Sequence, residues 1–278
     1  MSESLEPSKS TDEPVQPSYR VALADLAAGW TQRQLWWRLG LIEMRRRYRR
    51  TVIGPFWTGL SMAIFAVAVG IVFSNLWKMD MRDYLPFLTS GLVAWILVST
   101  ILTESCTVFV SAEGLLKQTP LPFSIFVYLN VWRNLIVFAH NLTVFIAVII
   151  IYPVPINPYT LMVIPGILVF AINAVWMSML IGMIACRFRD VQPVVSSVLQ
   201  ISMLITPIFW PPEQVGDLRP FIVGPNVLYH FMNIIRAPLL GQPTEMLNWI
   251  VVGTISVVGW TAALILFGRY RERIIYWL

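Results

Sequence analysis

The chain has 278 residues and a formal net charge of +5, and 57% of its residues are hydrophobic whereas only 13% are charged. Soluble domains carry about 25% charged residues, so the composition excludes an ordinary soluble domain. The only two cysteines, Cys106 and Cys186, lie in apolar runs without the spacing of a metal or disulfide framework, and we expect them to be packing residues.

The N-terminal part of the chain divides into two regions. Residues 1–18 are polar, acidic and contain prolines, which predicts a disordered tail. Residues 19–51 predict an amphipathic region at the membrane surface, with a helix that begins at a capping box of Thr31 and Gln34. On that helix Trp37, Leu41, Met44 and Tyr48 share one stripe, and Arg38, Arg45 and Arg49 share another, with Arg47 in the same basic run. We expect its aromatic rings at headgroup depth and its guanidinium groups on phosphates, and a simple basic anchor is the alternative.

Six apolar runs follow that are long enough to cross a membrane. A bilayer core needs roughly 20 apolar residues in a helix. The runs predict spans at about 52–77, 84–110, 134–156, 159–186, 191–212 and 246–268. Backbone groups in lipid must bond within their own segment, so we expect an all-α polytopic membrane protein and a permease domain over 52–278. Segments on the side of the N-terminus hold 15 Lys and Arg residues and opposite segments hold 4, which predicts that both termini are cytoplasmic.

The stretch 213–245 is too broken to span a membrane and too apolar for a solvated loop. Gly224, Pro225, Arg236 and Pro238 interrupt it. Irregular backbone at membrane depth is tolerated only when protein buries it or when it lines a watery cavity. We therefore expect a re-entrant hairpin of two short helices on the outer side, and a peripheral pair of surface helices is the alternative.

Ionisable residues within the spans are few. Glu104 and Arg133 lie near helix ends, from which both side chains can reach the interface, and His140 with Asn141 predicts a hydrogen bond between helices. A proton relay needs a series of such groups, and none is present in the sequence. The sequence also lacks a phosphate-binding loop, an HExxH motif and a GxSxG elbow, which favours transport over chemistry.

Several segments together resemble one family. They are Arg47 to Trp57 (RYRRTVIGPFW), Lys117 to Pro122 (KQTPLP), Phe138 to Leu142, Arg187 to Asp190 (RFRD), Thr206 to Trp210 (TPIFW), and Asn226 with Leu228 to Gly241 (LYHFMNIIRAPLLG). In this order they are similar to type-2 ABC exporter permeases of the O-antigen, capsule and teichoic acid groups, and most similar to the O-antigen members. The family has Pro after that Asn, where this chain has Val227.

The resemblance implies a non-catalytic permease that dimerises with a second copy of itself and pairs with two copies of a separate ATPase, which would hold ATP and Mg. It implies export of lipid-linked O-antigen-type polysaccharide from cytoplasm to periplasm along a path between the copies, in a bacterial inner membrane. Membrane lipids are further expected partners, and no nucleic acid is expected. Capsular polysaccharide or teichoic acid is the nearer rival cargo, and a drug or small lipid a more distant one. Outside this class, a membrane-embedded lipid-modifying enzyme and a passive channel remain.

Short inner loops have to carry the signal from an ATPase to the spans. We expect the ATPase contacts at Glu113, Leu116, Lys117, Arg187, Arg189 and Asp190. Arg189 and Asp190 have an alternative role as caps of the fourth and fifth helices. Aromatic faces suit sugar rings, so Trp95, Trp132 and Trp176 are candidate conduit residues.

A polymer conduit also needs a closure on the outer side. The residues of this predicted gate and its hinge are Thr206, Pro207, Trp210, Tyr229, His230 and Arg236. Pro207 lacks an amide donor and weakens the fifth helix, which offers a hinge. Arg236 is costly in lipid, so we expect it at a carboxylate, a helix end or the lipid–water boundary. A purely structural anchor is the alternative for this segment.

Overall fold

A computed structural model of the chain describes residues 19–49, 54 and 56–278. The predicted tail over 1–18 and the start of the first span at 52 lie outside the described residues. Within them the chain forms α-helices and short 3₁₀ turns, which confirms the all-α fold. The helices are α1 (Tyr19–Thr31), α2 (Arg33–Arg47), α3 (Phe56–Trp77), α4 (Met81–Ser105), α5 (Glu113–Gln118), α6 (Ser124–Ile151), α7 (Val163–Arg187), α8 (Val191–Ile205), α9 (Arg219–Ile222), α10 (Val227–Leu239) and α11 (Met246–Trp277).

Five segments of the described chain are long and apolar enough to cross a membrane. They are α3, α4, α6, α11, and α7 together with the 3₁₀ turn Pro158–Met162 before it. Helix α6 begins at Ser124, ten residues before the predicted start of the third span, and α11 continues through the basic residues to Trp277. The bundle thus has a basic end, where α6 starts and α7 and α11 finish, and an opposite end that we call the distal end.

The fifth predicted span is shorter than its apolar run. Helix α8 has 15 residues and ends at Ile205, whereas the run continues to 212. At 1.5 Å per residue such a helix covers about 22 Å of a core that is about 30 Å thick. Pro207, Pro211 and Pro212 cannot donate the amide hydrogen bonds that would extend it. A turn over 206–210 therefore follows α8.

The N-terminal region forms two helices, and the predicted capping box is wrong. Thr31 is the last residue of α1, so its hydroxyl group donates back to the Ala28 carbonyl at 2.8 Å. The residue that precedes α2 is Gln32, and its side chain makes no capping hydrogen bond. The face of α2 that packs on α6 contains Trp36, Gly40 and Met44. Met44 is thus the buried member of the predicted aromatic stripe, whereas Trp37 and Leu41 are exposed.

Helix α4 lies at the centre of the bundle and is its most buried span. Helix α10 is buried beside it although it is short and carries an arginine. The close approach of α10 to α7 requires a glycine, because a Cβ atom at Gly166 would collide with the backbone carbonyl of Ile234. Of the segment predicted as two short helices, α10 is thus folded into the protein, whereas α9 before it has no buried residue.

Candidate functional site

The turn over residues 206–210, which we call the α8 turn, is held by side chains of neighbouring helices. Tyr84 and Trp77 both donate to the Phe209 carbonyl, at 2.6 Å and 3.1 Å. These donors come from the start of α4 and the end of α3. Because the turn has left the regular helical pattern, its carbonyls need such outside donors when they are buried. The donors fix the turn between two spans at the distal end.

Helix α10 supplies two further contacts to the same turn. Asn226 donates from Nδ2 to the Thr206 hydroxyl at 2.9 Å and accepts from the Tyr229 amide at 3.0 Å. It therefore caps α10 and joins the cap to the α8 turn, with Val227 at the first helical position. Trp210 donates from Nε1 to the Leu204 carbonyl at 3.1 Å, which folds the far side of the turn back on α8.

Arg236 is the charged centre of this site. Its side chain is only 2% exposed, and its guanidinium group lies over the Phe87 ring, 3.5 Å from the centroid. It donates from Nη1 to the Pro207 carbonyl at 2.5 Å and from Nη2 to the Phe87 carbonyl at 3.3 Å. The described residues place no carboxylate in an ion pair with it, so an aromatic face and two carbonyls take the place of a counter-ion. A carboxylate, a helix end and the lipid–water boundary were the environments expected for this arginine. The observed one is a helix end, because Pro207 lies two residues beyond the last residue of α8.

His230 and Tyr229 are buried as well, and His230 contacts a different part of the site from Arg236. The Nδ1 atom of His230 lies 2.6 Å from Asn248 Oδ1 on α11, and its Nε2 atom lies 2.8 Å from the Gly224 carbonyl. Tyr229 contacts His230 edge to face. His230 thus joins the turn before α10 to α11, whereas Arg236 joins α10 to α4 and the α8 turn.

A second polar cluster lies toward the basic end, and its pairing was not expected. Arg133 of α6 donates to Glu104 Oε2 of α4 at 2.8 Å and to Glu43 Oε2 of α2 at 2.6 Å. Asn134 donates to the same Glu104 oxygen at 2.8 Å, and Arg47 lies 3.3 Å from its other oxygen. The two residues that were expected to reach the interface separately therefore bind each other. Opposite charges at the same predicted depth in consecutive spans were the available signal.

About one turn nearer the basic end than Arg133, small polar side chains continue the network between three spans. Asn130 donates to the hydroxyl groups of Ser105 and Ser178, at 3.2 Å and 3.1 Å, and these two hydroxyl groups lie 2.7 Å apart. All three side chains are buried. They satisfy one another where α4, α6 and α7 meet, which is the requirement for polar groups at membrane depth.

Asp25 was missed by sequence reasoning and connects three helices at the basic end. Its carboxylate accepts from the backbone amides of Phe123 and Ser124, at 3.3 Å and 3.0 Å, and from Arg271 Nε at 2.9 Å. It therefore caps the start of α6 from α1 and pairs with α11. The sequence gives no signal for this contact because the partners are about a hundred and 246 positions away.

The loop between α4 and α6 holds the first set of predicted ATPase contacts. Glu113 and Lys117 form an exposed ion pair at 2.6 Å on α5. Leu116 is only 6% exposed, whereas its neighbour Leu115 is 48% exposed. The prediction for Leu116 is therefore corrected: it is a core residue that supports the loop, and Leu115 lies on the surface beside the ion pair.

The loop between α7 and α8 holds the second set. Arg187, Arg189 and Asp190 are all exposed. The Asp190 side chain makes no capping hydrogen bond to α8, which leaves the alternative capping role of Asp190 without a contact. The guanidinium group of Arg187 lies over the rings of Phe188 and Trp277, at 5.9 Å and 5.7 Å, so it faces α11.

The three candidate conduit tryptophans lie within the packing of a single chain. Trp95 is buried in the core, so its assignment to a conduit between copies is corrected. Trp132 stacks on Trp37 of α2, with 3.8 Å between ring centroids. Trp176 packs against Gly259 of α11 and donates to Asn173 Oδ1 at 2.7 Å.

Comparison with known proteins decides the family. Residues 34–240 match the family model described as ABC-2 type transporter, a stretch that covers most of the chain and contains both polar clusters and the α8 turn. The chain belongs to the ABC-2 type transporter family. It is a transmembrane permease.

Relatives of this ABC-2 permease are named for one substrate class. It is 25% identical over 190 residues to an O-antigen export system permease protein RfbA of Klebsiella pneumoniae, covering 67% of this chain and 72% of the relative. It is 22% identical over 197 residues to a protein of the same name from Myxococcus xanthus, covering 70% and 76%.

Helices α3 and α8 are among those that the chain of the ABC-2 permease itself leaves largely uncovered. Helix α3 exposes aromatic rings that include Trp57 and Phe65, and Phe65 contacts Phe209 of the α8 turn edge to face. Helix α8 buries only Leu199 among its 15 residues. Lipid or another protein chain therefore has to cover these two faces, and both of them lie beside the α8 turn.

Proposed function

We propose that this chain is the permease subunit of an ATP-driven exporter that moves lipid-linked O-antigen-type polysaccharide from cytoplasm to periplasm for lipopolysaccharide biosynthesis. Membership of the ABC-2 family, together with relatives named as O-antigen export permeases, is the observation that carries this proposal. The polar clusters agree with it, because their groups bind one another and hold helices together rather than forming a catalytic arrangement.

The conduit in this proposal forms between two copies of the chain. The uncovered faces of α3 and α8 support it, since a single chain leaves them without a protein partner. The aromatic rings of α3 offer apolar faces on which sugar rings can stack. Trp57 and Phe65 thus replace Trp95 as the conduit residues that we propose.

A separate ATPase, in two copies, supplies the energy and holds ATP and Mg. Its contact surface on the permease includes Leu115, the Glu113–Lys117 pair, Arg189 and Asp190, which are all exposed at the basic end. In the proposed topology this end and both termini are cytoplasmic, in the inner membrane. The bias of Lys and Arg toward one side supports that orientation.

The α8 turn and α10 close the conduit on the outer side. A gate of this kind has to be held shut by contacts that can break and form again without unfolding a span. The hydrogen bonds from Arg236 and Asn226 to the α8 turn have this character, because they join side chains to a segment that no regular helix constrains. The rival proposal is that the same contacts anchor the segment permanently.

Deletion of the gene for this chain in its own host tests the proposed function. We expect loss of the long O-antigen ladder from surface lipopolysaccharide and accumulation of lipid-linked glycan inside the cell. The wild-type gene restores the ladder only with an ATPase that hydrolyses ATP, and the variant Leu115→Ala with Lys117→Ala co-purifies less ATPase. An unchanged ladder would contradict the proposal, and loss of capsule or teichoic acid instead would assign the rival cargo.

A further inference from the structure

A cavity of about 490 Å³ lies at the basic end between the last turns of α7 and α11, away from both polar clusters. Its volume is in the range of small-molecule sites, about 300–1,000 Å³. The deeper part of its wall is apolar, with Met183, Ile184 and Leu266. The outer part carries Arg187, about one turn nearer the end of α7, and Arg273, about two turns nearer the end of α11.

The two arginines of this cavity are available to an anion. Neither forms an ion pair within the part of the chain that the structure describes, although Arg47, Arg133, Arg219 and Arg271 each have a carboxylate partner. Their guanidinium groups contact aromatic rings instead: Arg187 lies 5.7 Å from the Trp277 centroid, and Arg273 lies 5.8 Å from the Tyr270 centroid. The lining of the cavity contains no carboxylate among the described residues.

The two helix ends at this site carry partial negative charge and oppose an anion. Each end is equivalent to about half an elementary charge, and its effect falls off within the last turn. Two full positive charges exceed this opposition. Guanidinium groups also match a phosphate geometrically because they donate in a planar fork.

We propose that this cavity binds one anionic phospholipid, with its phosphate between Arg187 and Arg273 and one acyl chain along Met183, Ile184 and Leu266. The order of groups along the helices favours a lipid over free phosphate, because the cationic rim continues into an apolar wall at membrane depth. Tyr270 lies at the boundary between the two and Trp277 lies one turn beyond Arg273, and amphipathic rings of this kind sit at headgroup level. Basic pockets between spanning helices are suited to anionic headgroups. Arg187 then serves a lipid, whereas Arg189 and Asp190 remain with the proposed ATPase surface.

Native mass spectrometry of the delipidated full-length permease tests this site without export or an ATPase. When each lipid is added back separately, we expect one tightly bound phosphatidylglycerol per chain and no comparable binding of phosphatidylcholine. Arg187→Gln with Arg273→Gln should weaken phosphatidylglycerol binding by about tenfold or more, since each arginine near a headgroup contributes measurably. The matched control is Lys78→Gln with Arg82→Gln, which removes the same charge from exposed positions at the distal end and should leave the retained lipid in place.

Two further measurements distinguish binding of a whole phospholipid from binding of free phosphate. Leu266→Trp fills the apolar wall while it keeps both arginines, and it should also abolish the retained lipid. Excess inorganic phosphate should not displace phosphatidylglycerol. Equal losses in the control and cavity variants, retention in Leu266→Trp, or displacement by phosphate would each overturn the proposal. If the double glutamine variant does not fold, Leu266→Trp and the phosphate arm still decide.

Discussion

Helices α8 and α10 have similar lengths, 15 and 13 residues, yet the chain treats them in opposite ways. Ten residues of α10 are buried, and they include an arginine and a histidine. Helix α8 buries only Leu199. A segment with a charged residue thus lies inside the protein, whereas an uncharged one lies at its edge.

The difference teaches that hydropathy does not distinguish burial in protein from burial in lipid. What distinguishes the two helices is whether their polar groups have partners. Arg236 and His230 in α10 both reach carbonyl or amide oxygens of other segments. Gln192, Ser196 and Gln200 of α8 recur every four residues, on one side of the helix, and make no side-chain hydrogen bond within the described residues. We expect this side to face the conduit or a second copy.

The largest expected effect concerns the packing of α10 against α7. Gly166→Val would place side-chain atoms on the backbone carbonyl of Ile234, which cannot move without shifting α10. Overpacking costs about 1–3 kcal/mol where side chains can yield, and more is expected against backbone. We expect little folded protein in a detergent thermal-unfolding assay. The control is Gly253→Val, at a helical glycine with open space around it, and this variant should unfold like the wild type. Equal unfolding midpoints of the two variants would show that α10 does not pack against Gly166.

The next effect concerns the buried cation. Arg236→Met leaves the buried Pro207 carbonyl without its donor, at about 1–3 kcal/mol, partly offset because no cation is buried, whereas the Phe87 carbonyl keeps the Ser90 hydroxyl group as a donor. We expect a fall of several degrees in the unfolding midpoint together with loss of export. Arg219→Met removes an arginine from an exposed pair with Glu245 and should change stability by less than about 1 kcal/mol. A normal midpoint in Arg236→Met would contradict the role of this residue as the link to the α8 turn.

The smallest effect on stability is expected in α8. Gln192→Leu with Gln200→Leu changes exposed side chains, so the unfolding midpoint should move by no more than the equivalent of about 0.5 kcal/mol. Export should nevertheless fall, because the polar side of α8 is then lost to the conduit or the second copy. Unfolding in detergent and the surface O-antigen ladder, measured on the same variant, separate the two effects. Normal export would show that this side of α8 faces lipid.

Part of this arrangement follows from the sequence. The cost of Arg236 in lipid predicts that it has a partner, and Pro207 predicts a weak point in the fifth span, although the helix ends at Ile205 instead of continuing to 212. Both arguments depend on one residue and its surroundings. The long apolar runs predict the spanning helices for the same reason. These features are local, so periodicity and composition are sufficient to find them.

The remainder depends on how helices turn toward one another. Adjacent Leu115 and Leu116 are chemically identical, and only the packing of α5 decides which one is buried. The pair of Glu104 with Arg133 requires that two spans present these residues to each other at one depth. The contact of Asp25 with the start of α6 joins parts of the chain that no local pattern connects.

A reversible cross-link across the two copies tests the proposed gate most directly. Phe221 is highly exposed beside α10, so Phe221→Cys in a background without Cys106 and Cys186 offers a disulfide to the same position of the second copy. Export is measured before oxidation, after oxidation and after reduction, with the cross-link confirmed by the mass of the dimer. We predict that export stops on oxidation and returns on reduction. Unchanged export in the fully cross-linked dimer would contradict a moving gate and leave the segment as an anchor.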